Sequence, residues 1–321
     1  MSTESKKGIP VNGDALPERV REAAAWVAGR ARSVAIEAGA IESYAAALPE
    51  AAEPSPPDPV TEPLEGGREE RIAFVVCLDA INFGSGWWPT IRKRPERSGY
   101  FTIAAGMTER FRREGSWPPS RLASVGRDEI AVALGQDPQH PLMEHFAVAL
   151  RDVGIHVRDE HGGSFERLVE AARGSAVAMA ELLAGWQAFA DTSEYERRRV
   201  PFFKRAQIVA ADLTRMGLAD FGDLDRLTAF ADNLVPHVLR VDGVLRLDSA
   251  LKAKIEAGDL LDHGSPEEVE LRACAVHAVE LLTSATDGRL APSEIDAILW
   301  NRGSASRYKS IPRSRSRNTA Y

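Results

Sequence analysis

The residues best suited to chemistry lie between positions 200 and 240. Lys204, Arg205 and Gln207 stand near the start of a predicted helix, and Asp232 stands at a predicted turn farther along the chain. A helix start attracts anions, because its free backbone N–H groups point outward and its dipole is positive there. Two cations, an amide and a carboxylate in apolar surroundings are what a small anionic substrate needs.

Lys204 is the stronger candidate of the two cations. A Lys-Arg pair at a helix start is usually a solvated face, but Lys204 follows Phe203, so part of its stem is expected to be buried. Asp212 lies about two helical turns beyond Arg205, on nearly the same face. A direct ion pair between these two side chains is therefore not expected, and each should have another partner.

A second group of candidates follows a predicted buried strand over Ile72–Ala80. The loop after it contains glycines and three aromatic residues, Phe83, Trp87 and Trp88. Their flat faces could hold a heterocycle, with Asp79 or Asn82 bonded to its edge. The alternative is an aromatic corner of the core in which Asp79 caps a turn. The glycine spacing matches neither a dinucleotide fingerprint nor a P-loop, which argues against nucleoside triphosphate chemistry.

Four segments carry a resemblance to a known family. They are FFKRAQIVAADL at 202–213, FADNLVPHVL at 230–239, INFGSGWW at 81–88 and GSPEEVELRACAVHAVELL at 264–282. They resemble the queuosine salvage proteins, and the similarity runs from about residue 60 to the C-terminus. The resemblance implies an N-glycosidase that releases the base queuine from queuosine 5'-phosphate. It also implies a helical fold related to DNA glycosylases, with an aspartate after a helix-hairpin-helix element.

Asp232 is the residue that matches this aspartate. Breaking an N-glycosidic bond builds positive charge on the ribose, and a carboxylate beside the anomeric carbon stabilises that charge or activates a water. The alternative is that Asp232 caps a helix over His237–Val241, a common role for aspartate just before a helix. Whether Asp232 acts as nucleophile, base or electrostatic stabiliser stays open at this point.

With the resemblance included, Asp232 and Lys204 are the expected catalytic residues. Stacking and hydrogen bonding to the base, and contacts to the sugar and phosphate, are assigned to a larger set. The expected substrate-binding residues are Asp79, Asn82, Phe83, Trp87, Trp88, Phe203, Arg205, Asp212, His237, Arg313 and Tyr321.

The C-terminal segment 301–321 is basic throughout. It contains six arginine and lysine residues and no acidic residue. Such an end is either a disordered, solvated tail or a strap that folds over a phosphate site. The family resemblance favours the strap.

Composition narrows the class of protein. The 321 residues are 44% hydrophobic, as in ordinary globular proteins, and the net charge of −7 argues against a protein that wraps duplex nucleic acid. No apolar run approaches the length of a membrane span, and the N-terminus lacks the apolar core of a signal peptide. The two cysteines, Cys77 and Cys274, are expected to be buried free thiols in a reducing cytoplasm.

These observations favour a cytoplasmic hydrolase with a small-molecule substrate, without a metal, another cofactor or a stable nucleic-acid partner. The oligomeric state is not predicted. The alternative is a binding module that recognises a modified nucleoside or tRNA without cleaving it. A DNA repair glycosylase is disfavoured by the acidic charge and the short basic surface.

The predicted fold is mainly α with a small β element, and Ile72–Ala80 is its strand. We predict a flexible N-terminus over 1–16, a single domain over 17–321 and an extended proline-rich connector at Glu53–Pro59. The predicted helices are Pro17–Arg32, Thr102–Glu114, Asp128–Leu134, Leu142–Val153, Phe165–Ala172, Ser175–Ala190, Phe203–Met216, Leu224–Phe230, Ser249–Ala257 and Pro266–Leu282.

Overall fold

The computed structural model describes residues 15–52, 58–63 and 65–321. Most of the N-terminus predicted to be flexible, and most of the proline-rich connector, lie outside these residues. Within them, no helix is both long and apolar enough to cross a membrane.

The described chain is mainly helical, as predicted. The helices are α1 (Leu16–Ala28), α2 (Ala38–Ala46), α3 (Arg68–Ala80), α4 (Gly99–Glu114), α5 (Pro119–Leu122), α6 (Arg127–Leu134), α7 (Pro141–Glu160), α8 (Phe165–Ala171), α9 (Ala176–Ala184), α10 (Lys204–Arg215), α11 (Val235–Val241), α12 (Ser249–Ala257), α13 (Pro266–Ala285), α14 (Pro292–Arg302) and α15 (Ser306–Lys309). Short 3₁₀ turns lie at Gln187–Phe189 and Leu224–Arg226.

The β structure consists of two small antiparallel pairs. Strand β1 (Val34–Ile36) pairs with β4 (Leu245–Leu247), placing Val34 opposite Leu247. Strands β2 (Thr192–Tyr195) and β3 (Arg198–Pro201) form a hairpin. Its two turn residues, Glu196 and Arg197, both have positive φ, as a tight hairpin turn requires.

The predicted strand over Ile72–Ala80 is wrong, because these residues form most of α3. Every residue of this run is buried, so it has no polar face that would distinguish a helix from a strand. The residues that indicate a helix lie before this run, at the first turn of α3. Glu70 accepts the backbone N–H of Gly67 at 3.1 Å, which caps the first turn of α3.

Gly154 does not end the helix that was predicted to stop at Val153. Helix α7 continues to Glu160, and Gly154 lies where α5 crosses it. A Cβ atom at Gly154 would lie 2.4 Å from the backbone nitrogen of Ala123. This glycine therefore allows two helices to approach closely, instead of ending one of them.

The predicted helix Leu224–Phe230 is reduced to a 3₁₀ turn followed by extended chain. Side chains take the backbone donors that a helix would have used. Thr228 donates its N–H to Gln207 Oε1 at 2.9 Å, and Phe230 donates its N–H to Asp296 Oδ1 at 2.8 Å. Similarly, the predicted helix Ser175–Ala190 ends at Ala184.

Local capping signals located other helices well. Ser164 accepts the N–H of Arg167 at the start of α8, and Ser265 accepts that of Glu268 at the start of α13. Helix α12 has the predicted bounds.

Helix α10 begins where two apolar cores meet. One core is built largely from α3, α4, α6 and α7, and it includes the apolar face of α10. The other is built largely from α1, α11, α13 and α14, and it includes Phe202. Phe203, which directly precedes α10, packs against both cores. Lys204 is consequently placed at their junction.

Candidate active site

Lys204 is buried at the first position of α10, with 5% of its surface exposed. Its Nζ donates to the backbone oxygen of Asn82 at 3.0 Å and to Asn82 Oδ1 at 3.3 Å. Burial lowers the pKa of Lys204, while the charges of Asp232 and Asp79 oppose that effect. The ammonium group thus lies within electrostatic reach of both carboxylates.

Asp79 carries the least satisfied carboxylate of the site. The residue is 1% exposed, in the last turn of α3, and neither oxygen has a hydrogen-bond partner of normal geometry among the described residues. Burial raises the pKa of Asp79 well above its usual value and the charge of Asp212 adds to this, while Lys204 and the nearby Asn82 amide oppose it. A buried carboxyl group with unused acceptors is costly unless a ligand donates to it.

Asp232 lies two residues before Leu234, the N-cap of α11, and one of its oxygens holds the backbone where this helix begins. Its Oδ1 accepts the backbone N–H of Leu234 at 2.7 Å and that of Val235 at 3.0 Å. Both hydrogen bonds described for this half-buried side chain use Oδ1. The capping role therefore exists, and it leaves Oδ2 for another partner.

A second carboxyl group, Asp296 on α14, lies near Asp232 and was missed in the sequence. It is buried, and its Oδ1 accepts the N–H of Phe230 at 2.8 Å. Burial raises the pKa of Asp296 well above its usual value, and the charge of Asp232 raises it further. The sequence could have indicated Asp296, because it stands beside Ile295 on the apolar side of α14. An acidic residue in such a buried row needs a partner.

Replacing Asp296 by asparagine is expected to raise the free energy of unfolding at about pH 7. In the folded chain the pKa of Asp296 lies well above its usual 3.8, so the native state retains a proton that the unfolded chain releases. The carboxyl group therefore costs stability above about pH 4 and nothing below it. Thermal unfolding of both proteins checks this: the gain should be present at neutral pH and vanish toward about pH 3. A gain that is independent of pH would contradict this explanation.

Arg313 brings positive charge to the same region from the C-terminal segment. The side chain is half-buried. Burial lowers the pKa of its guanidinium group, and the charge of Asp232 acts in the opposite direction. A cation therefore lies within electrostatic reach of Asp232, on an element separate from the one that carries Lys204.

His237 holds the C-terminal segment. Its Nε2 donates to the backbone oxygen of Tyr308 at 2.9 Å, and its Nδ1 accepts from Arg240 at 3.3 Å. Burial lowers the pKa of His237 to about 4. Both nitrogens of this neutral ring are thus engaged by the protein, which describes an anchor better than a substrate contact.

The aromatic residues of the 81–88 loop are largely covered by protein. The Phe83 ring lies 5.1 Å from that of Phe146, and Trp87 lies 5.2 Å from His145. Phe83 and Trp87 are buried, whereas Trp88 is half-buried. The Trp88 ring packs closely on Gly99, so that a Cβ atom at Gly99 would lie 2.4 Å from this ring.

Tyr100, Phe101 and Trp300 form a different aromatic group, which the sequence did not indicate. Their rings meet edge to face, with Tyr100 at 6.3 Å and Phe101 at 5.7 Å from Trp300. Burial raises the pKa of Tyr100 well above its usual value, and the charges of Asp79 and Asp212 add to this. Tyr100 of this group therefore lies within electrostatic reach of Asp79 and Asp212.

Arg205 and Asp212 have separate partners, as predicted. The Arg205 guanidinium is buried and donates to the backbone oxygens of Ala80, Thr319 and Ala320. Asp212 pairs with Arg215 at 3.3 Å. All three guanidinium nitrogens of Arg205 are thus used in hydrogen bonds that join α3 to the end of the chain.

The basic C-terminal segment is folded onto the protein. We call residues 310–321 the strap. Ser316 accepts the N–H of Gly86 at 3.0 Å through its backbone oxygen, and Tyr321 accepts that of Gly84 at 3.2 Å. A Cβ at Gly86 would lie 2.6 Å from the Ser316 oxygen, so the glycine is needed for this close approach. The strap therefore covers the loop that follows Asp79.

The acidic and thiol groups do not gather into a metal site. Among the residues that the structure describes, no three His, Cys, Asp or Glu side chains lie together so that they could hold a metal ion.

A protein-family model described as "Queuosine salvage protein" matches residues 62–321. The chain belongs to the queuosine salvage protein family. A relative from Sphaerobacter thermophilus, named queuosine 5'-phosphate N-glycosylase/hydrolase, is 34% identical over 271 residues, covering 79% of this chain and 83% of the relative. A Bos taurus protein of the same name is 29% identical over 316 residues, covering 88% of this chain and 92% of the relative.

The family match leaves out α1, β1 and α2, which nevertheless support the site in this family member. Glu270 of α13 accepts the backbone N–H groups of Ser33 and Val34 at 2.7 and 3.1 Å. Helix α1 packs along α13, which also carries Arg272. The N-terminal elements therefore brace a helix whose residues reach the site.

Proposed function

We propose that this chain hydrolyses the N-glycosidic bond of queuosine 5'-phosphate and releases queuine and ribose 5-phosphate. One observation carries the proposal: Lys204 lies within electrostatic reach of both Asp79 and Asp232, and Arg313 within reach of Asp232. The neighbouring groups supply a carboxylate for the base, a carboxylate for the sugar and a cation for the phosphate, which are the three parts of a nucleotide.

Asp79 binds the base in this proposal. A 7-deazaguanine presents adjacent N–H donors, and a carboxylate can accept both at once. The two Asp79 oxygens are buried and without a hydrogen-bond partner of normal geometry in the described chain, so the base would satisfy them. Lys204 supports this contact, because it fixes the nearby Asn82 through two hydrogen bonds.

Asp232 promotes cleavage. Positive charge develops on the ribose as the bond breaks, and an ionised carboxylate stabilises that charge or activates the attacking water. Lys204 places a cation within electrostatic reach of this carboxylate. Asp296 is a second, buried carboxyl group beside Asp232, and burial together with the charge of Asp232 raises its pKa.

The proposal is tested by incubating the protein with queuosine 5'-phosphate in the presence of a chelator and following free queuine by mass spectrometry. We expect equal amounts of queuine and ribose 5-phosphate, accumulating over many turnovers. Recovery of intact substrate bound to the protein would favour a binding module for a modified nucleoside instead.

Phosphorylated substrate is expected to be cleaved faster than the nucleoside. Arg313→Ala should lower this preference about tenfold or more. The reason is that a hydrogen bond to a charged group is worth about 1.5–3 kcal/mol. Arg317→Ala is the matched control, because Arg317 belongs to the same strap but is exposed. The measurement is kcat/KM on both substrates for each protein. An unchanged ratio in Arg313→Ala would remove Arg313 from the phosphate site.

We also propose that the helices adopt the helix-hairpin-helix arrangement of DNA glycosylases. The position of Asp232 three residues before the start of α11 supports this. Superposition of an experimental structure on DNA glycosylases tests the proposal, and an aspartate that falls outside their catalytic position would contradict it.

The cytoplasm is the proposed place of action, and residues 17–321 the proposed single catalytic domain. Cys77 and Cys274 support a reducing compartment, because both are buried and unpaired. Fractionation of cells that produce the protein tests its location.

A further inference from the structure

The side chain of Arg272 is enclosed between two aromatic rings. Arg272 lies on α13 and is 1% exposed. Its guanidinium carbon lies 3.9 Å from the centre of the Phe202 ring and 4.4 Å from that of Tyr321, the last residue of the chain. Two ring faces hold the plane of the guanidinium group in one orientation.

The polar contacts of Arg272 reach both segments that carry the proposed catalytic residues. One terminal nitrogen pairs with Asp191 Oδ2 at 2.7 Å, and the same oxygen accepts the backbone N–H of Lys204 at 3.1 Å. The Nε atom donates to the backbone oxygen of Ala231 at 2.9 Å, directly before Asp232. A single planar group therefore joins the start of α10 to the segment before α11.

The chain end is held firmly in place. Arg205 donates to the backbone oxygens of Thr319 and Ala320, and Asn318 Oδ1 accepts the N–H groups of Ala320 and Tyr321 at 2.9 and 3.1 Å. These contacts use the backbone of the strap. Backbone contacts thus hold the Tyr321 ring on Arg272, and its hydroxyl group lies near Glu268, which is itself 3.8 Å from Arg272.

We propose that Arg272 is a positioning residue that sets the separation between Lys204 and Asp232, and that the C-terminal Tyr321 ring holds Arg272 in its productive orientation. The inference rests on the proposed function. Without the ring, the guanidinium plane can tilt, and its hydrogen bonds to Asp191 and Ala231 no longer form together. The two catalytic groups then lose their mutual alignment, whereas Asp79, which makes no contact with Arg272, still binds the base.

The test compares Tyr321→Leu with Tyr321→Phe, because leucine fills much of the space without an aromatic face. Ile311→Ala, at an exposed position of the same strap, is the control. We expect Tyr321→Leu to lower kcat about tenfold or more, since small misplacements of reacting groups cost up to about 100-fold. Ile311→Ala should keep nearly normal kcat, and Tyr321→Phe, which retains the ring face, should lose much less than Tyr321→Leu. Calorimetry should find one queuine site per chain and unchanged affinity in all three.

Normal kcat in Tyr321→Leu would overturn the inference, and so would equal losses in the leucine and phenylalanine variants. If Tyr321→Leu has fewer queuine sites per chain and this fall accounts for the lost rate, the loss is due to a folding defect. That result would also overturn the inference. If Tyr321→Leu does not fold, Arg272→Lys replaces it: lysine keeps the charge but cannot bond Asp191 and Ala231 together. Lowered kcat with unchanged queuine affinity would support the inference, and normal kcat would refute it. Absence of turnover in the unmodified protein would instead refute the proposed function.

Discussion

Asp232→Asn is expected to lose queuine release by on the order of 10²- to 10⁴-fold, the usual effect of removing a catalytic acid or base. The amide keeps the shape of the side chain but removes the negative charge that a ribosyl cation needs. Its oxygen can still accept the N–H groups of Leu234 and Val235, and asparagine caps helices about as well as aspartate. Melting temperature and queuine affinity should therefore change little while turnover falls.

Asp248→Asn is the matched control for this experiment. Asp248 caps α12 by accepting the N–H of Leu251 at 2.7 Å, so it has the same local role as Asp232 without the proposed chemistry. It should keep normal turnover. Near-normal turnover in Asp232→Asn would reduce Asp232 to a helix cap and remove it from the catalytic residues.

Asp79→Ala is expected to weaken queuine binding by about 100-fold or more, because two hydrogen bonds to a charged group are lost at about 1.5–3 kcal/mol each. The fold should not suffer. Burial raises the pKa of Asp79, so above the unfolded value of about 4 the carboxyl group costs stability, and alanine removes that cost. Calorimetry with free queuine and thermal unfolding at about pH 7 measure the two effects.

The pH dependence of binding gives this prediction a second check. Only the ionised Asp79 carboxylate can accept two donors, and burial raises its pKa, so its ionisation needs a higher pH than that of an ordinary aspartate. Affinity for queuine should therefore increase with pH in the unmodified protein and lose that dependence in Asp79→Ala. Unchanged affinity in a folded Asp79→Ala protein would remove Asp79 from the site.

The parts of the site that could be predicted from the sequence depend on local signals. Helical spacing predicted the separate partners of Arg205 and Asp212, and the neighbouring phenylalanines predicted that part of the Lys204 stem is buried. Helix caps at Ser164 and Ser265 are equally local. The resemblance to the salvage family added Asp232, whose two roles remain for the turnover experiment to separate.

Contacts between distant segments could not be predicted in this way. Asp296 and Arg272 lie on helices far along the chain from Lys204, and only the packing of α13 and α14 brings them to the site. Tyr100 was missed for the same reason. The error at 72–80 has a different cause, because a run that is buried on all sides carries no periodic signal.

A crystal structure with queuine and ribose 5-phosphate bound will show directly which residues hold each part of the substrate. We predict that the base donors lie about 3 Å from the Asp79 carboxylate oxygens, with the anomeric carbon facing Asp232 and the phosphate at Arg313. An open cleft of about 280 Å³ is lined by Phe203 together with Asp191, Arg199 and the strap residues Thr319 and Ala320, but not by Asp79, Asp232 or Arg313. If queuine binds in that cleft and leaves Asp79 without a partner, the assignment of Asp79 to the base is wrong.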